Sequence, residues 1–131
     1  MKIGELSRRA EVPIDTVRYY ERQGLLPAPE RQASGYRKYH SDDVTRLQFV
    51  RRAKALGFTL KEIQELLALS DHRDDDMADL KAATNDKLAD VNRKIAELTR
   101  IRDGLETLVE ACPGHGALKH CPILHALAEE P

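Results

Sequence analysis

At 131 residues, 41% hydrophobic, 33% charged and 5% aromatic with no Trp, the chain suits a soluble, helix-rich, elongated protein better than a thick globular core. No apolar run nears the roughly 18 residues of a membrane span, and Met1-Lys2-Ile3-Gly4-Glu5 has no secretory h-region, so a cytoplasmic protein with no membrane partner is expected. The net charge of −1 hides a split: residues 1–54 carry 12 Lys and Arg against 7 Asp and Glu, and residues 55–131 carry 9 against 15, which suits a polyanion in the first half only.

Ile3, Leu6 and Ala10 share one face of a first helix that fails near Val12-Pro13. Pro13 fits the start of a second, where its missing N–H costs nothing. That helix runs from about Ile14 to Gln23, with Gly24 as its C′ residue. It turns Val17 inward and Asp15, Thr16, Arg18 and Tyr19 outward. The polar stretch Glu30 to His40, centred on Ser34-Gly35, predicts a short two-stranded hairpin. Ser41-Asp42-Asp43 reads as a capping side chain followed by two carboxylates at the positive end of a helix dipole. Val44, Leu47, Phe49, Val50 and Ala53 carry that helix to Gly57. Thr59-Leu60-Lys61-Glu62 is a capping box opening a helix through Leu69, with Ile63, Leu66 and Leu67 inward.

The acidic run Asp71–Asp76 reads as a solvated linker and helix start. It lacks the central Gly and terminal Glu of a calcium loop. From about Met77 to Ala111 there is no Pro, and one heptad column collects Met77, Thr84, Val91, Leu98, Leu105 and Cys112. The other holds Lys81, Leu88, Ile95, Arg102 and Val109. Such a helix, roughly 50 Å long, cannot bury its own stripe, so a second copy is the expected partner, with Arg102 and Gly104 weakening the seam locally. A short helix Ile123–Ala128 closes the chain. Two cysteines, Cys112 and Cys121, are too few for an all-cysteine zinc site or a four-cysteine iron–sulfur cluster. The sequence has no P-loop, Gly-x-Ser-x-Gly or His-Glu-x-x-His pattern, and an enzyme is not expected.

Several segments together resemble the MerR-type transcription regulators. They are Ile3-Gly4-Glu5-Leu6, Thr16-Val17-Arg18-Tyr19-Tyr20-Glu21, Gly24-Leu25-Leu26-Pro27, Arg31, Gly35-Tyr36-Arg37-Lys38-Tyr39 and Gly57-Phe58-Thr59-Leu60-Lys61-Glu62-Ile63. The tail Cys112-Pro113-Gly114 to Cys121-Pro122-Ile123-Leu124 is similar to the metal-binding loop of the heavy-metal-responsive branch, as in copper-efflux and zinc-, cadmium- or lead-responsive regulators. The resemblance implies a mainly α chain: a winged helix-turn-helix DNA-binding domain over 1–40, a connecting helix pair over 41–70, an antiparallel coiled-coil dimerisation helix over 71–111, and a metal-binding loop with a C-terminal helix over 112–131. It implies a homodimer on double-stranded promoter DNA that presents an overlong spacer to RNA polymerase and activates by deforming it.

On DNA, the second helix fits a major groove. The resemblance makes Arg18 and Tyr19 its groove contacts, with Thr16 exposed beside them and the Tyr20 hydroxyl near the backbone. Tyr36, Arg37 and Arg31 of the wing, and secondarily Lys54 and Arg52, would hold phosphates. Tyr39 is expected in the wing core.

In the tail, eight residues separate two thiols, so both sulfurs can meet one soft ion: Cu(I), Ag(I), Au(I), Zn(II), Cd(II), Hg(II) or Pb(II). In the family's divalent-metal sensors a cysteine at the place of Met77 supplies a third thiolate across the dimer. Here Met77 adds no charge, which favours a monovalent ion, Cu(I) first. His115 and His120 could join and keep divalent ions open, whereas His125 reads as a surface residue. A thiol redox or aldehyde sensor on the same scaffold is the alternative regulator.

Overall fold

The computed structural model describes residues 1–31, 33, 35 and 37–128, with the backbone alone for Glu30 and Arg31. The elements are α1 (Ile3–Ala10), α2 (Ile14–Arg22), β1 (Glu30–Arg31), β2 (Arg37–Lys38), α3 (Ser41–Ala55), α4 (Leu60–Ser70), α5 (Ala78–Ala111), a 3-10 turn (Leu118–His120) and α6 (Pro122–Ala128). The chain is mainly helical, as expected. The strands pair antiparallel, Glu30 opposite Lys38 and Arg31 opposite Arg37.

Two compact units divide within α5, Met1–Lys87 and Leu88–Pro131. In the first, α1 packs on α2 and α3, and α3 on α4. The apolar spacing of each helix sends Leu6 and Ala10 of α1, Val17 of α2, Leu47 and Val50 of α3, and Ile63, Leu66 and Leu67 of α4 into one buried cluster. Each large aliphatic side chain so covered contributes about 1.5–3 kcal/mol. Tyr39 and Leu25 belong to the same buried cluster.

Local signals set most boundaries. Gly24 takes φ +76° after the C-cap of α2, and the N–H of Leu25 donates to the Tyr20 carbonyl at 2.9 Å, a closure that favours glycine there. The α4 capping box is present: the Thr59 hydroxyl accepts from the Glu62 N–H at 3.2 Å, and the Thr59 N–H donates to Glu62 Oε1 at 2.8 Å. One boundary differs. Ser41 is the first residue of α3 rather than its cap; His40 holds that position, its N–H donating to Asp43 Oδ2 at 2.9 Å. The carboxylate three residues on reaches back, and so moves the start by one.

Two side chains brace the turn after α2. Arg46 Nε of α3 donates to the Leu25 carbonyl at 3.0 Å, and Gln64 Nε2 of α4 donates to that of Gln23. The first turns of α5 are tied to α4, because Lys87 Nζ lies 2.8 Å from Glu62 Oε1 and 5.6 Å from the Phe58 ring centre. Asp76 Oδ1 accepts from the Ala78 N–H at 2.7 Å, starting α5 just after Met77. None of α5 is buried. Its seam residues Leu88, Ile95, Leu98, Leu105 and Val109 are 56–66% exposed in the single chain. Among the described residues, no helix is long and apolar enough to cross a membrane.

Candidate functional site

The outward face of α2, the start of α1 and the hairpin form a concave surface of about 1190 Å³. Lys2, Arg8, Arg18, Arg22 and Arg37 line it against the carboxylates of Glu5 and Glu21. A helical period of 3.6 explains the sorting: Val17 and Tyr20 turn into the core, leaving Arg18 and Arg22, one turn apart, on the open side. Cations grouped on a helix narrow enough for a DNA groove suit a phosphate-lined duplex.

Of the expected contacts, Arg18 and Tyr19 are exposed and Thr16 is half-buried. The Arg22 guanidinium stands 6.0 Å from the centre of the Tyr19 ring. Tyr20 belongs to the core, its ring centre 5.9 Å from that of Tyr19. Lys54 and Arg52 are exposed late in α3 and are not part of the concave lining. Tyr36 and the Arg31 side chain lie outside the described residues.

Arg37 is held from beneath. Its guanidinium donates to Glu21 Oε2 at 2.7 Å, and the Tyr39 hydroxyl donates to the other oxygen, Oε1. Burial first, then the bond to Glu21, pushes the Tyr39 phenol up to about 12, with the Arg37 charge opposing. Sequence reasoning gave no part to Glu21, Lys2, Arg8 or Arg22. For Arg22 the signal was available, since it lies four residues after Arg18.

The second cluster is in the tail. Cys112 directly follows α5 and Cys121 directly precedes α6. Their sulfurs stand 3.8 Å apart, and neither is in a disulfide. The N–H groups at the start of α6, Leu124 foremost and then Ile123, hold the Cys121 thiol below its ordinary value against the opposing cost of burial, and the Cys112 sulfur adds to this. Metal–sulfur bonds of about 2.3 Å bridge such a gap, so the pair fits a soft ion by both spacing and chemistry. Among the described residues, no group of three or more His, Cys, Asp or Glu is gathered for a metal. His115 and His120 are therefore not assembled with the sulfurs into such a cluster. The His115 ring pairs with the Pro113 carbonyl at 3.2 Å, and His125 with that of Lys119 at 2.7 Å. Met77, 81% exposed, belongs to the other unit.

A helix-turn-helix braced by two further helices, with a cationic face and a short hairpin beside it, defines a DNA-binding regulator. The comparisons agree: residues 1–70 match the MerR HTH family regulatory protein profile and residues 44–108 that described as MerR, DNA binding, so the chain belongs to the MerR family, in its heavy-metal-responsive branch. It is 45% identical to the HTH-type transcriptional regulator HmrR of Rhizobium leguminosarum bv. viciae, over 98% of both chains. It is 43% identical to the mercuric resistance operon regulatory protein of Bacillus cereus, again over 98% of each. Among solved structures it resembles the transcription regulator PbrR691 from Ralstonia metallidurans CH34 in complex with lead(II), with TM-score 0.88, 37% identity, and 98% of this chain and 99% of that one covered. This is a family of transcription regulators, not of enzymes.

Proposed function

We infer that the chain is a metal-responsive transcription activator. It works as a homodimer on promoter DNA, with Cys112 and Cys121 holding a thiophilic ion of the Cu(I), Ag(I), Au(I) class. The observation that carries this reading is the pair of sulfurs 3.8 Å apart on a chain whose first unit bears a cationic concave face.

Arg18 and Tyr19 read the groove, and Arg37, with Arg31 and Tyr36 of the hairpin, grips phosphate. The exposed α5 seam from Leu88 to Val109 is the surface for a second copy, and the pair of heads matches a dyad. Bound metal supplies a cross-link between two thiolates. The Leu124 and Ile123 N–H groups favour the charged Cys121 sulfur before any ion arrives. Control runs through the shape of the duplex offered to RNA polymerase, and a differential affinity of about 2–3 kcal/mol between states shifts the balance roughly 30- to 150-fold.

A monovalent ion is favoured because the tail brings two sulfurs together and Met77, at the place where a cysteine would supply a third thiolate, is a thioether that adds no charge. A divalent ion is the second reading. It is supported by the relatives named for mercuric resistance and for a lead(II) complex, with His115, His120 or Met77 of a second copy completing the set.

The deciding experiment is in vitro transcription from the protein's own promoter with Cu(I), Ag(I), Zn(II), Cd(II), Hg(II) and Pb(II). Induction by Cu(I) and Ag(I) is expected, with Cys112→Ser and Cys121→Ser bound to DNA but uninduced. Full induction of either variant would remove the sulfur pair from the mechanism. Met77→Cys is expected to raise the response to divalent over monovalent ions.

A further inference from the structure

We propose that Glu21 is a specificity-determining positioning residue: it locks the hairpin's Arg37 to the groove-reading helix α2, so that groove and phosphate contacts are made in one fixed register. This rests on the DNA-binding reading above.

The hairpin is too small to hold its own place. Its strands are two residues each, and an isolated two-stranded ribbon is marginal in water. Contacts with other parts of the chain must therefore fix it: the Tyr39 N–H donates to the Met1 carbonyl at 2.8 Å, and side chains add to this. Glu21 supplies such a tether with both oxygens, accepting from Arg37 at 2.7 Å on one and from the Tyr39 hydroxyl on the other. It sits on α2 three residues past Arg18, so its backbone moves with the residues that would face the bases. The Glu21 side chain is only 9% exposed while that of Arg37 is 44% exposed. The carboxylate is thus covered and the guanidinium keeps an open side for a phosphate. The tether also has an electrostatic consequence, because Glu21 cancels one positive charge on a face that needs cations. A residue that weakens general attraction to DNA while fixing geometry should trade affinity for selectivity.

The test uses the full-length chain, a duplex selected from a random pool with the wild-type protein, and a scrambled duplex of equal length. Both affinities are measured across a salt series for wild type, Glu21→Gln and Tyr39→Phe. Glu21→Gln should bind the scrambled duplex as well as or better than wild type, with a salt slope steeper by about one. Its preference for the selected duplex should fall about tenfold. Tyr39→Phe, which leaves the Arg37 pair in place, should lose less. Combined with Glu21→Gln, Arg37→Gln should add little to the lost preference, since the two act as one unit. An unchanged preference in Glu21→Gln would overturn the proposal, as would a parallel loss on both duplexes. Should Glu21→Gln not fold, Glu21→Asp must still lose preference, its shorter arm being unable to serve both partners. If the wild-type chain selects no duplex at all, it is the DNA-binding reading that fails.

Discussion

Arg37 shows how much one side chain's neighbours decide. An arginine alone on a surface would be a solubilising group; paired with Glu21 and half exposed, it is a guanidinium with a set direction. Arg37→Ala is expected to weaken binding to operator DNA and flatten the salt slope by about one unit, measured by titration at several salt concentrations. Its neighbour Tyr39 makes stability depend on alkaline pH. With the phenol pushed up to about 12 in the fold against about 10 in the unfolded chain, the neutral hydroxyl stabilises fully below pH ~10. That contribution is lost as pH rises toward 12. The difference in urea stability between wild type and Tyr39→Phe should be flat below pH ~10 and shrink above it, by up to about 2 kcal/mol.

Among the elements, α4 is the most completely specified by its own residues. The Thr59 cap and the Glu62 carboxylate close its first turn, and Thr59→Ala should cost about 1 kcal/mol in denaturant unfolding. Glu62 is held below the usual carboxylate range, first by Lys87 and then by the Thr59 N–H. Its contribution is therefore present above pH ~4.3 and fades as pH falls through the lowered value. Being partly exposed, it should be worth under about 1 kcal/mol, and the gap between wild type and Glu62→Gln should close in acid. These features were legible in the sequence because caps and apolar periods are local: Val17, Ile63, Leu66 and Leu67 all turn inward as their spacing demands. Ser41 enters the first turn instead of capping it because Asp43 offers a competing reach-back within the same four residues. The Glu21 tether was not legible, since its partners lie 16 and 18 residues away and nothing local connects them. The sulfur pair was legible as two thiols flanking a loop, whereas the N–H groups aimed at Cys121 required the start of α6 to be seen.

For the whole molecule, the decisive surface is the uncovered seam of α5. Leu98→Glu would place a charge on the face proposed to pack against a second copy and should make the protein monomeric by sedimentation equilibrium, with affinity for a dyad duplex falling steeply. A dimer that persisted would move the interface off this face. The position of Cys121 has a consequence for how such a chain can be dissected. Its carbonyl receives the His125 N–H at 3.1 Å, and its sulfur lies before the first turn of α6. The residue proposed to grip the ion is thus also the residue on which the last helix is hung. Serine at that place still offers an oxygen to the helix start, whereas alanine offers none. Amide exchange in α6 should accordingly stay near wild type in Cys121→Ser and quicken in Cys121→Ala. Losing the ion and losing the helix thereby become two separable injuries to one residue.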